Sequence, residues 1–446
     1  MRGTSAGVDR SSHPPVLKPR AADVSPAARA ARRSPFRWVV LGLATLMQLC
    51  VSLPQQTPAA IGPVLTQALH LSRAELGLLT SAIWGGMLIG MLPFGVLVDR
   101  YGERVMLLGG GLLLAGCLVL ASRAAAFQPL FWALLPAAIG ASAAAPGGTR
   151  ALAAWFEPRL RGTAMGIRQT GVTGAGVLVA VILPPIALAA GWQAAFLTVA
   201  GLALAGMLAF VLFYREPPET RRGARAPFDP RLLLQSRAWL FATAFGFVFM
   251  GALGSVVAYL AVSLNQDAGI SPVRAGLALA VLQVGGITGR LGFGVLSDRL
   301  GRRGPVMALA GALAVLACLA MALLGHGAAG LAALVLIAFL LGLSCLGWNA
   351  LYITLSAEAV PIENAATAVA SGTTITFLGM LAVPPVFGLV ADHAGSYSPS
   401  WLALAGYAVV GTALGLAIRD RAHGAAGAPR VSPAPAPADR RRSAQG

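Results

Sequence analysis

Apolar runs long enough to cross a bilayer constrain this chain more than any other feature. A helix needs about 20 apolar residues to span a hydrocarbon core roughly 30 Å thick. Runs of that kind fall near 38–64, 75–98, 105–122, 128–152, 163–188 and 193–213. Six more fall near 238–264, 274–297, 306–324, 331–355, 366–390 and 401–418. The one long polar stretch between them, "YREPPETRRGARAPFDPRLLLQSR" from Tyr214 to Arg237, divides the runs into two sets of six. The expected fold is all-α and integral to the membrane, with about twelve helices in two six-helix bundles. The expected plan is a disordered tail over 1–35, an N-terminal bundle over 36–214 and a linker over 215–237. A C-terminal bundle over 238–419 and a second disordered tail over 420–446 complete it.

Charge supports that reading and orients it. Only 11% of the residues are charged, against about 25% in soluble domains. The net charge of +17 is carried almost wholly by arginine, Lys18 being the single lysine. These arginines sit in tails and short loops without interleaved aromatics, so nucleic acid is not an expected partner. Placing the N-terminus in the cytoplasm puts Arg100, Arg104, Arg159, Arg161, the linker cluster, Arg299, Arg302 and Arg303 inside. Only Arg73, Arg123 and Arg274 are then left in outer loops. That bias predicts a multi-pass protein of a bacterial-type inner membrane with both termini cytoplasmic. Residues 1–35 read as a polar tail, not a signal peptide. Cys50, Cys117, Cys318 and Cys345 lie inside apolar runs without metal-ligand spacing, so neither disulfide, metal nor cofactor is expected.

The two sets of helices resemble each other. "GVLVDRYGER" at Gly95–Arg104 returns as "GVLSDRLGRR" at Gly294–Arg303, and "LPP" at Leu183–Pro185 returns as "VPP" at Val383–Pro385. Halves repeated in the same order are one known plan of secondary transporters, with the solute site between them near mid-membrane. In the charged phrase Gly95 and Gly294 should allow close helix contact. Asp99 and Asp298 should face a neighbouring helix N-terminus, within reach of Arg100, Arg104, Arg299, Arg302 and Arg303. Gly102 and Gly301 complete the candidate gate.

The doubled GxxxDRxGxR in a twelve-helix chain resembles the major facilitator superfamily over roughly residues 36–420. "WFEPRLRGTAMGIRQTGVTGAG", Trp155 to Gly176, is similar to the passage between its fourth and fifth helices. The resemblance implies alternating access by rocking of two bundles, without catalysis. Drug exporters of that superfamily carry an early arginine in helix four and a Gly-Pro motif in helix five. Neither occurs in "LFWALLPAAIGASAAAPGG" or "GVTGAG".

The candidate solute site follows from charges inside the helices. All carboxylates fall at helix ends, in loops or in tails, whereas Arg168 and Arg290 lie within apolar runs. Intramembrane charge is costly and usually functional, and a guanidinium without a nearby acid invites an anion. An arginine at the place of Arg290 resembles the carboxylate ligand of monocarboxylate, oxalate and nitrate carriers. Gln169, Gln283, Asn349 and Tyr352 are candidate polar neighbours, Gln283 being seven residues from Arg290 on one helical face. The expected function is secondary transport of a small organic or inorganic anion, such as a monocarboxylate, by symport or exchange. The expected partners are the solute, lipid and a coupling proton or counter-anion, and the chain is expected to act as a monomer. Efflux of a lipophilic drug or metabolite is the alternative, and a transporter-like sensor a third.

Overall fold

The computed structural model describes residues 34–215, 231–325, 330–360 and 364–418. The two expected tails and most of the expected linker lie outside these residues. Among the described residues the structure is helical, without strands. The first half comprises α1 (Phe36–Ala60), α2 (Gly62–Leu69), α3 (Arg73–Tyr101), α4 (Glu103–Ala121), α5 (Phe127–Ala141), α6 (Ala144–Trp155) and α7 (Pro158–Phe213). After the short α8 (Arg231–Gln235), the second half comprises α9 (Arg237–Gln266), α10 (Pro272–Leu300), α11 (Gly304–Leu324), α12 (Leu331–Gly347), α13 (Asn349–Glu358), α14 (Ala365–Ala394) and α15 (Ser398–Ala417).

Ten helical stretches among the described residues are long and apolar enough to cross a membrane. One is α7, which turns back at Gly191 and so makes two passes, and α5 with α6 supplies another, giving the twelve that the apolar runs predict. The turn depends on one residue. Gly191 has φ 83° and ψ 157°, a conformation essentially reserved for glycine. The runs 163–188 and 193–213 are thus joined by a single residue instead of a loop.

Three of the expected passes are broken. The first divides at Ile61, just after Pro54 and Pro58 in α1. The fourth divides at Ser142 and Ala143 between α5 and α6, and the tenth at Trp348 between α12 and α13. Starts are set by local chemistry. Ser72 accepts from the Glu75 N–H while the Glu75 carboxylate accepts from the Ser72 N–H, a reciprocal cap that fixes where α3 begins. Pro158 and Pro272 occupy first helical positions, where a missing N–H costs nothing.

The two halves meet along α3 with α14 and α7 with α10, and α9 packs on α1, α2 and α3. Small residues allow these approaches. A Cβ on Gly77 would lie 2.7 Å from the Pro384 carbonyl oxygen, and one on Gly276 would lie 2.5 Å from that of Ala180. Gly95 and Gly294 behave otherwise, since a Cβ on either would meet nothing within 4 Å. Their expected role in close helix contact is not what the structure has. The glycines the turns require are Gly102 and Gly301, with φ of 85° and 61°.

Candidate functional site

The repeated prolines shape the seam between the halves. Proline has no N–H to return to the carbonyl four residues earlier. Pro385 therefore leaves the Leu381 carbonyl of α14 without its helical donor, and the Ser81 hydroxyl of α3 donates to it at 2.7 Å. Pro184 likewise frees the Ala180 carbonyl of α7, against which Gly276 of α10 is packed. The "LPP" and "VPP" phrases thus turn main-chain acceptors of α7 and α14 toward the opposite half.

The end of the molecule opposite the charged phrases is clasped shut. The Asp392 carboxylate accepts from the Arg73 and Ala74 N–H groups, both at 2.9 Å. The Arg73 guanidinium donates to the Ala391 carbonyl at 2.7 Å and the Gly395 carbonyl at 3.0 Å, and lies 4.7 Å from the Tyr397 ring centre. Burial holds the Tyr397 hydroxyl above the usual tyrosine pKa, a rise that Arg73 opposes. Tyr259 donates to the Arg73 carbonyl at 2.6 Å. These contacts all join one half to the other.

At the end carrying the charged phrases, hereafter the motif end, the polar links seen between described residues stay within a half. Arg104 donates to the Tyr214 carbonyl and Trp155 to that of Arg215. Arg303 forms a bidentate pair with Glu358 at 2.8 and 2.6 Å. Asp298 is exposed and takes no described partner, so Arg303 pairs with Glu358 instead of the expected aspartate. Arg100, Arg299 and Arg302 are exposed, and Arg100 lies over the Tyr101 ring. The side chain of Asp99 lies outside the described residues.

Stripes of side chains show where the halves part. On α7, Ala180, Gly176 and Thr173 are buried, whereas Gln169, one turn nearer the motif end, is exposed. On α14, Leu381 and Phe377 are partly buried, and Thr374 and Ala370 are exposed. On α3 the sequence runs from buried Gly77 through Trp84 to exposed Met91. A cleft therefore opens toward the motif end, with its apex near the middle of the helices.

Arg290 of α10 sits at that apex. Nη1 donates to the Thr173 hydroxyl of α7 at 2.8 Å, across the seam, and Nε donates to the Leu346 carbonyl at 3.4 Å, beside the α12–α13 break. Both acceptors are neutral, and Nη2 has no protein acceptor among the described residues. Gln283, two turns away on the same face, is buried against Gly176.

Arg168 is placed differently. Only 5% exposed, it turns into the first half, donating to the Thr149 hydroxyl at 3.0 Å, the Gln48 side-chain oxygen at 2.6 Å and the Ala144 carbonyl at 3.0 Å. It lies on Gly148, where a Cβ would come within 2.8 Å of Nε. Arg168 and Arg290 thus each serve a broken helix, but the contacts do not join them in one site. Asn349 is partly buried beside the α12–α13 break. Tyr352 is only 1% exposed, stacked edge-on against Trp348 within the second half. Thr173 is the residue that sequence reasoning missed, since a single threonine in an apolar helix carries no signal of its own.

Among the described residues no three His, Cys, Asp or Glu side chains cluster as metal ligands would. Every described carboxylate lies within about two turns of a helix end or outside the helices, so the middle of the molecule carries guanidinium without acid.

Two helical halves repeated in order, joined along paired seams and parted by a cleft, define a membrane transporter. The family model described as Major Facilitator Superfamily matches residues 44–384 and 246–443, and the chain belongs to that superfamily as a secondary transporter. It is 25% identical over 291 residues to the "Probable sulfoacetate transporter SauU" of Cupriavidus necator, covering 61% of this chain and 67% of the relative. It is 27% identical over 307 residues to the "4-hydroxybenzoate transporter PcaK" of Pseudomonas putida, covering 60% of this chain and 67% of the relative. Among solved structures, a bacterial homologue of the human lysosomal transporter Spinster, in an inward-facing and unoccupied conformation, superposes with a TM-score of 0.75 at 17% identity. That match covers 86% of this chain and 97% of the other, and it bears on the fold alone.

Proposed function

We propose that the protein carries small organic anions across a bacterial inner membrane, and that Arg290 binds the anionic group of the solute at the apex of the cleft. The observation that carries this reading is a guanidinium at mid-helix whose protein partners, Thr173 and the Leu346 carbonyl, are both neutral. A carboxylate or sulfonate satisfies such a fork with two charge-assisted hydrogen bonds. The free Nη2, with Nη1 released from Thr173, supplies the two donors. The names of the relatives, a sulfoacetate carrier and a 4-hydroxybenzoate carrier, support the same chemistry.

The Arg290–Thr173 bond crosses the seam, so an anion that takes over Nη1 weakens a link between the halves. Solute binding would then be tied to rocking, as alternating access requires. Gln169, exposed on the cleft face of α7, would contact the solute body. Arg168 would brace the α5–α6 break. The arginine-rich loops, taken as cytoplasmic, make the described state open inward. Arg303 bound to Glu358, with Asp298 unengaged, then represents the released gate of the second half. No acid among the described residues lies near Arg290 to carry a coupling proton, which favours anion exchange or a proton that enters with the solute.

Uptake of labelled carboxylates into proteoliposomes tests the reading. Wild-type transport with loss in Arg290→Gln, and an imposed counter-anion or pH gradient driving uptake, supports it. Wild-type rates in Arg290→Gln and Arg290→Lys refute Arg290 as the ligand.

A further inference from the structure

The apex of the cleft has a second side, and it is aromatic. Trp84 of α3 and Phe377 of α14 meet across the seam, edge to face, with ring centres 5.5 Å apart and planes at 66°. Other ring pairs, such as Trp38–Phe156, Trp192–Phe196, Phe249–Trp348 and Phe387–Trp401, stay within one half. Trp84 and Phe377 are both partly buried. They stand where the α3–α14 contact ends, beyond the Ser81–Leu381 bond and before exposed Met91 and Thr374. Phe377 is twelve residues from the motif end of α14 and Arg290 ten from that of α10. At 1.5 Å per residue these depths are about 18 and 15 Å, within one helical turn of each other.

We propose that Trp84 and Phe377 are the specificity-determining residues of the carrier, selecting anions whose body is a planar, unsaturated ring. This rests on the reading of Arg290 as the anion ligand. The seam at Trp84 and Phe377 must part when the far end opens, which uncovers two aromatic surfaces. To meet them the solute body must extend from Arg290, on the α7–α10 seam, to the α3–α14 seam at the same depth. There its ring presents a face or an edge to each of the two as they separate. Aromatic pairs favour those offset and edge-to-face arrangements over contact with a saturated body of equal size. An alicyclic acid has the charge for Arg290 but neither the flat face nor the polarised edge for the rings.

Benzoate and cyclohexanecarboxylate share charge and ring size and differ in planarity. Uptake of both is measured with purified full-length protein in proteoliposomes, for wild type, Trp84→Leu, Phe377→Leu, Trp84→Phe and Arg290→Gln. Thermal melting of each variant confirms folding. The expected result is a wild-type preference for benzoate of about five- to tenfold in kcat/KM. The two leucine variants lose that preference through a raised benzoate KM, while cyclohexanecarboxylate uptake persists. Trp84→Phe retains the preference. Equal uptake of both acids by wild type, or a preference unchanged in both leucine variants, overturns the clamp; if Arg290→Gln still abolishes uptake, the anion reading stands. Uptake of neither acid overturns the clamp alone, because the anion reading is tested by other carboxylates. Uptake indifferent to Arg290→Gln overturns the anion reading and the clamp together.

Discussion

Asp392, near the end of α14, caps the start of α3 from the other half of the molecule through the N–H groups of Arg73 and Ala74, each at 2.9 Å. The first N–H groups of a helix have no partner within it and carry partial positive charge. The cap exists only while the far end is closed, so it favours the state in which the cleft opens at the motif end. Asp392 is exposed, and solvent screening limits its contribution to about 1 kcal/mol, roughly fivefold in the balance between states. Asp392→Ala is expected to shift that balance toward a far end that opens. In a chain cleared of its four cysteines, a cysteine reporter (Leu381→Cys) should react faster with an impermeant maleimide applied from that side.

The Ser81–Leu381 bond gives a second, independent handle on the same seam. Its acceptor is available because Pro385 cannot donate to it, and its loss leaves a carbonyl without a partner near mid-membrane. Such a group costs about 1–3 kcal/mol. Ser81→Ala should lower the melting temperature in detergent by several degrees. Pro385→Ala, which restores the helical donor, should offset much of that loss when combined with Ser81→Ala. Additive losses in the double variant would contradict the pairing.

Much of this architecture can be read in the sequence, because transmembrane helices must satisfy their own backbone and announce themselves as apolar runs. The repeat, the turn glycines Gly102 and Gly301 and the end placement of the described carboxylates are all legible there. The breaks at Ser142 and Trp348 are not, since each lies inside an unbroken apolar run. Arg290 stands out as a charge in such a run, but its partner Thr173 is 117 residues earlier and only the fold brings them together. Arg168 shows the same gap in reverse. As an isolated charge it resembles Arg290, yet Gln48 and the α5–α6 break turn it into the first half. The glycines of the charged phrase mislead for a physical reason as well. Small size permits contact but does not create it, and Gly95 and Gly294 face open space.

The two arginines should therefore fail differently. Arg168→Gln cannot reach Thr149, Gln48 and the Ala144 carbonyl at once, and leaves buried acceptors unpaired at a cost of about 2–4 kcal/mol. Lysine, a point donor without the planar fork, should restore only part of this. Arg168→Gln is expected to lower yield and melting temperature with transport per folded molecule less affected. Arg290→Gln should melt near the wild type and lose transport. Fluorescence-detected size exclusion with heating, read beside uptake, separates the two.

Close packing of α10 on α12 holds Arg290 in place. A Cβ on Gly289 would collide with the Leu343 carbonyl oxygen, and one on Gly342 with that of Leu282. Both collisions are with main chain, which cannot rotate aside. Gly289→Ala must push the two helices apart at the residue next to Arg290, lengthening its 3.4 Å approach to the Leu346 carbonyl and moving the guanidinium relative to Thr173. A displacement near 1 Å in a positioned group can cost as much as about a hundredfold in rate. Gly289→Ala is expected to reduce kcat/KM for anion uptake by at least about tenfold. Gly292→Ala, on the same helix with open space at its Cβ position, is the matched control and should transport as the wild type does. Equal activity of the two variants would mean that the helix contact does not position Arg290.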